Sequence, residues 1–505
     1  MAETNGTSAL QSAEQLSPDL TADYLEHHAL MPLRREEGQL LTATWAEVLD
    51  ERALDDLRLI AGVPITLVKL PEADVRAAIR RTYSSDAMTA EGVIAGLGDD
   101  VRAVRETDSA LDDLVSLANE APVVKIVNLL LLEALDTRAS DVHLESYQNG
   151  LRVRYRVDGV LQDAIAPPPR LAAAVVSRLK IMAELDIAER RVPQDGRIRL
   201  RMHDRQVDVR VSTLPTLHGE SVVLRLLDKE SGRIDLEALG MGADTLARFD
   251  KVIAKPHGIV LSTGPTGSGK TTTLYAAVDR IRTGREKIIT VEDPVEYELP
   301  GVPQVPVNEK VGLTFANALR ALLRQDPDVM LVGEIRDQET ADIATHAALT
   351  GHLVLSTLHT NDAATALTRL VDLGIEPYLV ASTVEAVLAQ RLVRRICESC
   401  RRPVEQTAEQ RAALGDAASE LGEVWEGEGC EQCRGTGYSG RTGIYELLVM
   451  EPEIREAVLG DTTISTGRLQ VMAREAGMKL LREDGLRVVA QGLTTVEEVL
   501  RVASA

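Results

Sequence analysis

At 505 residues, with 44% hydrophobic and 27% charged residues, the chain has a globular composition and is too long for one hydrophobic core. A net charge of −22 and only 3% aromatics argue against a helicase or DNA pump. Phosphate neutralisation needs a basic footprint, and base stacking needs rings. No apolar run reaches the ~18–20 residues that span a bilayer and no export signal is visible, so a cytosolic chain with no nucleic-acid partner is expected.

Residues 1–19 are poor in apolar side chains and read as a disordered lead. Residues 20–81 mix helical and strand-like spacing (TWAEVLDERALDDLRLIAG, then VPITLVKL) and read as a small α+β docking domain without convergent catalytic groups. The acidic, glycine-bearing stretch 82–110 reads as a linker. Residues 111–234 follow as a second α+β domain, with a helical pattern from Asp113 to Leu135 and an outlying helix from Leu171 to Leu185. Its strands are the alternating runs VHLES, LRVRYRVDGVLQDAI, RIRLRMHDRQVDVRVSTL and SVVLRLLD. Asp158-Gly159 and Asp195-Gly196 are turn signals between them. Arginines recur along these strands, Arg210 and Arg225 among them, and most read as a solvated face.

Over 235–394 near-continuous apolar strands (GIVLST, KIITVED, VMLVGE, HLVLSTLHT) alternate with helices expected at Lys270–Arg282, Thr314–Gln325, Asp337–Thr350 and Asp362–Leu373. Strands buried on both faces and joined by helices make a parallel α/β sheet. Between the first strand and first helix, Gly264-Pro265-Thr266-Gly267-Ser268-Gly269-Lys270-Thr271-Thr272 fits the phosphate loop G-x-x-x-x-G-K-[ST]. Its glycines let backbone N–H groups point inward around a phosphate. Lys270 can reach the β- and γ-phosphates, and the Thr271 hydroxyl can ligate Mg²⁺.

Ligands of such sheets sit at the carboxyl ends of the strands, where two further acids, Glu292 and Glu334, end apolar runs. Phosphoryl transfer to water needs a carboxylate for the cation's shell and a group that orients the water. Glu334 fits the Mg²⁺ side and Glu292 the water-orienting group or base, or the two are exchanged. His352 and His359 stand seven residues apart along one strand and so point to opposite faces, leaving one to face the nucleotide.

Within 395–440, Cys397-x2-Cys400 and Cys430-x2-Cys433 use every cysteine of the chain. Paired knuckles of this kind close tetrahedrally on zinc, and four thiolates leave no open position, so the zinc is expected to be structural. A redox-active pair is the alternative. Residues 441–505 read as mostly helical, after a strand that RTGIYELL could add, with Thr494-x-x-Glu497 as a capping box for the last helix.

Together these segments resemble the secretion-ATPase superfamily, and within it the type II secretion ATPases. GPTGSGKTT resembles the Walker A loop, ITVEDPVE the Asp box, LRQDPDVMLVGEIRD the Walker B strand and TGHLVLSTLHTN the His box. RASDVHLE, RYRVDGVL, RVPQDGRI and VDVRVSTLPTLHGE resemble the second N-terminal domain, and the tetracysteine insertion the metal-binding subdomain. The resemblance implies a multidomain α/β chain: a RecA-like parallel-sheet P-loop ATPase core, an α+β N-terminal regulatory domain, a docking domain and a four-cysteine zinc subdomain. It implies a homohexameric ATPase using ATP and Mg²⁺, peripheral on the inner membrane, that drives pseudopilus assembly and protein export. Arg210 and Arg225 would then reach the phosphates when their domain closes. The implied partners are type II secretion protein L, through residues 20–81, and the platform protein, type II secretion protein F. The alternatives are a type IV pilus assembly ATPase, a DNA-processing translocase and a nucleotide-gated scaffold without turnover.

Overall fold

The computed structural model describes residues 16, 20, 22–36, 39–46, 50–83, 114, 116–202, 205–228, 235–415, 417–460 and 465–503. The expected lead, Leu16 apart, and the expected linker beyond Tyr83 lie outside them. The chain divides into two compact units, the first drawn from 1–226 and the second chiefly 227–505.

The first unit holds two sheets. β1 (Leu30–Glu36) and β2 (Gln39–Thr44) pair antiparallel, and β3 (Ile65–Lys69) adds parallel to β2. The helix Glu51–Ala61, capped by the Asp50 carboxylate at Arg52 N, buries Ala53, Leu54 and Leu57 against this sheet. The second sheet has six strands in the order β6-β5-β4-β9-β8-β7. They are β4 (Ala139–Tyr147), β5 (Gly150–Val157), β6 (Val160–Ala164), β7 (Gln194–Met202), β8 (Arg205–Thr216) and β9 (Gly219–Asp228). Two sequence expectations change here. Asp195-Gly196 lies inside β7 rather than in a turn. The Asp113–Leu135 pattern breaks at Glu120, which occupies the N-cap position of a new helix Ala121–Asp136 without a side-chain capping bond, with Pro122 in its first turn, where a missing N–H costs nothing.

The second unit is built on a seven-stranded sheet, ordered β12-β11-β13-β14-β10-β15-β18. Its strands are β10 (Gly258–Thr263), β11 (Ile288–Glu292), β12 (Gln304–Pro306), β13 (Val329–Val332), β14 (Leu353–Leu358), β15 (Val384–Ile396) and, after the small two-stranded sheet described next, β18. β16 (Arg401–Val404) and β17 (Val424–Gly427) form that two-stranded sheet, and β18 (Tyr438–Val449) returns antiparallel to β15. All other pairings in the large sheet are parallel. Every residue of β10, β13 and β14 is buried, which the continuous apolar runs demand. Successive side chains feed opposite cores: Ile259 and Leu261 enter one with Val354 and Met330, while Val260 enters the other with Leu353 and Leu355.

The four helices expected in this core form, as Lys270–Ile281, Phe315–Leu322, Gln338–Leu349 and Ala363–Asp372. Asp337 and Asp362 cap the last two by accepting from Thr340 N and Thr365 N. The final helix, Val496–Ala503, is capped by Thr495, whose hydroxyl accepts from Glu498 N, and not by Thr494. Thr494 instead donates to Arg394 O. Among the described residues no helix is long and apolar enough to cross a membrane.

Candidate active site and metal centre

The sheet register brings the loops after β10, β11, β13 and β14 to one edge, since Thr263 pairs with Leu358, Val332 with Ser356 and Val291 with Val332. Side-chain hydroxyls brace this edge. Thr357 Oγ1 donates to Gly333 O at 2.8 Å, and Thr263 Oγ1 accepts from Thr360 N at 2.9 Å.

The loop Gly264–Gly269 then turns into the helix that starts at Lys270. Gly264 takes φ +148 and Gly269 φ +88, conformations open to glycine, and a Cβ on Gly264 would come within 2.6 Å of Gln390 O. Lys270 is 8% exposed and its Nζ donates to the carbonyls of Gly264 (2.8 Å) and Pro265 (3.1 Å). Burial lowers its pKa to about 8, with Arg391 adding to the drop and Glu334 opposing it. The loop therefore offers a concentrated, poorly hydrated positive charge, which suits a polyanion. Thr271 and Thr272 open the helix and are half-buried at its positive end.

Glu334 follows β13 and lies at the same edge, its side chain 13% exposed. Its Oε1 meets Arg336 at 2.5 Å and its Oε2 meets His359 Nε2 at 3.3 Å. Glu292, the last residue of β11, is 3% exposed and engaged on both oxygens. Oε2 accepts from the Tyr275 hydroxyl, and Oε1 accepts from Thr290 Oγ1 (2.5 Å) and Gln304 Nε2 (3.1 Å). Burial raises the Tyr275 phenol first, and the Glu292 charge raises it further, so the phenol keeps its proton and donates. The two carboxylates thus differ: one faces the loop's lysine, and the other is buried against the helix behind the loop.

The histidines separate along β14. His359 follows its carboxyl end beside Glu334, whereas His352 precedes its amino end, where its carbonyl accepts from Gly258 N and its Nδ1 faces Ala347 O at 2.9 Å. His352 is therefore at the opposite edge of the sheet from the loop. Arg210 (β8) and Arg225 (β9) belong to the first unit. Arg225 is exposed and its Nε pairs with Asp141 at 2.9 Å.

Arg391 of β15 is a site residue the sequence reading missed. Its Nη1 lies 3.1 Å from where a Cβ of Gly264 would stand, and its Nη2 donates to Asn361 O at 2.9 Å. The available signal was an arginine at the far end of an apolar run, within VLAQRL.

The cysteines converge as well. Cys397 follows β15 and Cys433 precedes β18, so the β15–β18 pair brings both knuckles together, and all four sulfurs lie within 4.8 Å of one another. Neighbouring Sγ atoms stand 3.7–3.9 Å apart. Thiolates about 2.3 Å from a tetrahedral ion are separated by about 3.8 Å, so the cluster fits a four-sulfur metal site. Burial pushes the Cys433 thiol up, but N–H donation from Cys430 and Gly437 outweighs it and holds the pKa down to about 6. Cys400 in the same cluster moves the other way, pushed up to about 12 by burial and by its thiol neighbours, so the four sulfurs share their protons unevenly, and metal binding would require the rest to be released.

The family model described as type II/IV secretion system protein matches residues 116–501, and the MshEN domain model matches 7–89. The type II secretion system protein E of Dickeya dadantii is 46% identical over 491 residues, 97% of each chain. The type II secretion system protein HxcR of Pseudomonas aeruginosa is 52% identical over 445 residues, 87% of this chain and 90% of that one. The type IV pilus assembly ATPase PilB of Myxococcus xanthus is 46% identical over 481 residues, 94% of this chain and 84% of that one. Among solved structures, the pilus retraction motor PilT with bound ADP superposes with a TM-score of 0.51 at 25% identity, covering 75% of this chain and 97% of that one. The Legionella pneumophila ATPase DotB does so at 0.57 and 22% identity, covering 75% of this chain and 96% of that one, a likeness of fold.

Proposed function

The chain belongs to the type II/IV secretion system protein family and is an ATPase, and from that premise we propose that it is the hexameric motor of a type II secretion system. The observation that carries this reading is the placement of Lys270 and Glu334 at one sheet edge by β10 and β13. In the reading, Gly264–Thr272 cradle the phosphates of ATP, and Lys270 transfers its hydrogen bonds from the loop carbonyls to the β- and γ-oxygens. Thr271 and Glu334 would hold Mg²⁺, which supplies charge neutralisation at the transferring phosphoryl. Glu334 also takes the water-orienting role, with His359 beside it. Glu292, already accepting three hydrogen bonds, positions Tyr275 and the loop's helix instead. Arg210 and Arg225 stabilise the phosphoryl on domain closure, a contribution of ~10³–10⁵ in rate where such arginines act. Residues 20–81 dock on the cytoplasmic part of protein L and the motor works on protein F, at the cytoplasmic face of the inner membrane.

The reading is tested by steady-state phosphate release with Mg-ATP, followed against pH. Lys270 is charged below its pKa of about 8 and loses its proton above it. KM for ATP should therefore stay flat up to pH ~8 and then rise by up to about tenfold per unit, as the cation is lost. No hydrolysis, or a KM indifferent to pH between 7 and 9.5, goes against the assignment.

The cysteine cluster holds one structural zinc per chain in this reading. Such ions contribute ~10–16 kcal/mol in isolated zinc-finger peptides. Cys397→Ser should lose the zinc equivalent and lower the melting temperature, and wild-type protein without zinc by elemental analysis contradicts the claim. Pilus assembly is the second reading, favoured by the likeness to the Myxococcus pilus ATPase. Neighbouring genes for a secretin and a protein L, or for pilins, separate the two. A DNA translocase requires salt-sensitive nucleic-acid binding, which a filter-binding titration decides.

A further inference from the structure

The phosphate loop is held from outside by β15. The pairing of Thr263 with Ala389 carries Gln390 alongside the loop's first turn. Gln390 is 1% exposed, far too buried for a polar side chain without a task. Its Oε1 accepts from Ser262 Oγ at 3.2 Å, and its Nε2 donates to the carbonyl of Ser268 at 2.7 Å. The Ser268 hydroxyl is itself buried without a hydrogen-bond partner, so the tie between loop and strand runs through the backbone. A trans peptide points its C=O and its N–H in opposite directions. Fixing the Ser268 carbonyl on Gln390 therefore turns the N–H of Gly269 away from Gln390 and leaves it available to an anion held by the loop. Gly269, at φ +88, leaves that peptide free to rotate unless something holds it.

We propose that Gln390 is a positioning residue that presets the Ser268–Gly269 peptide for phosphate binding. The proposal rests on the reading of Gly264–Thr272 as the nucleotide site. With the tie removed, the peptide samples orientations that present a carbonyl to the phosphate, exchanging an attraction for a repulsion. The effect falls on nucleotide binding and spares the chemical step, because Lys270, Thr271 and Glu334 are untouched.

Gln390→Met keeps the length of the side chain and removes both hydrogen bonds. The dissociation constants for ADP and ATP, measured by titration of the full chain with fluorescent nucleotides, should rise by about 10- to 100-fold, the loss of a hydrogen bond to a charged group. The kcat at saturating ATP should stay within about threefold, a split between KM and kcat that general loosening of the fold does not produce. Should Gln390→Met fail to fold, Ser262→Ala frees the other end of the amide and leaves β15 intact, and its dissociation constants should rise by at least about threefold. Unchanged nucleotide affinity in a folded variant, with the wild type binding normally, overturns the role of Gln390 alone. A wild-type chain that binds no ADP overturns the nucleotide reading and this proposal with it.

Discussion

Lys270→Ala should reduce kcat/KM for ATP hydrolysis by at least about a thousandfold, equivalent to ~4 kcal/mol of transition-state stabilisation. The size follows from the burial of the ammonium. At 8% exposure it is poorly hydrated and poorly screened, and that burial is what lowers its pKa. A cation in such a place interacts with phosphate oxygens far more strongly than one in bulk solvent. The substitution leaves the helix Lys270–Ile281 anchored by Leu274, Tyr275 and Val278, so the fold should persist and circular dichroism should be unchanged. Near-normal turnover in the folded variant contradicts the site outright.

Glu334→Gln should separate binding from hydrolysis. The amide keeps the size and planarity of the carboxylate but lacks its charge, so kcat should fall by ~10²–10⁴, the usual contribution of a positioned acid–base group. The loss of one Mg²⁺ ligand is offset by the removal of a negative charge beside the triphosphate, so the dissociation constant for Mg-ATP should stay within a few-fold. Single-turnover hydrolysis together with nucleotide titration checks both halves. A variant that hydrolyses at the wild-type rate removes Glu334 from the catalytic set.

The parallel core was legible because burial on both faces imposes apolar runs, and the phosphate loop because its glycines and lysine are fixed by backbone geometry at set spacing. β15 was not: VEAVLAQRLVRRI is rich in helix-formers, and it becomes a strand because β10 and β18 flank it on both sides. Thr494 and Thr495 compete for one cap, and the choice is made by Arg394 O taking the Thr494 hydroxyl. Strand parity sorts side chains by face, whereas His352 and His359 flank the six residues of β14 and so stand at its opposite ends. Gln304 and Tyr275 gather around Glu292 from distant stretches, so the buried character of that acid is a property of packing alone. The same holds for Gln390, whose task is visible only once β15 is seen beside the loop.

The hexameric motor proposed above, docked on protein L, predicts a rate that depends on assembly. The decisive experiment is phosphate release per subunit as a function of chain concentration, with and without the cytoplasmic domain of protein L. Activity per subunit should climb with concentration, and climb further with the partner, as copies assemble. A rate per subunit that is constant across a hundredfold range and indifferent to the partner, or no hydrolysis at any concentration, would contradict it.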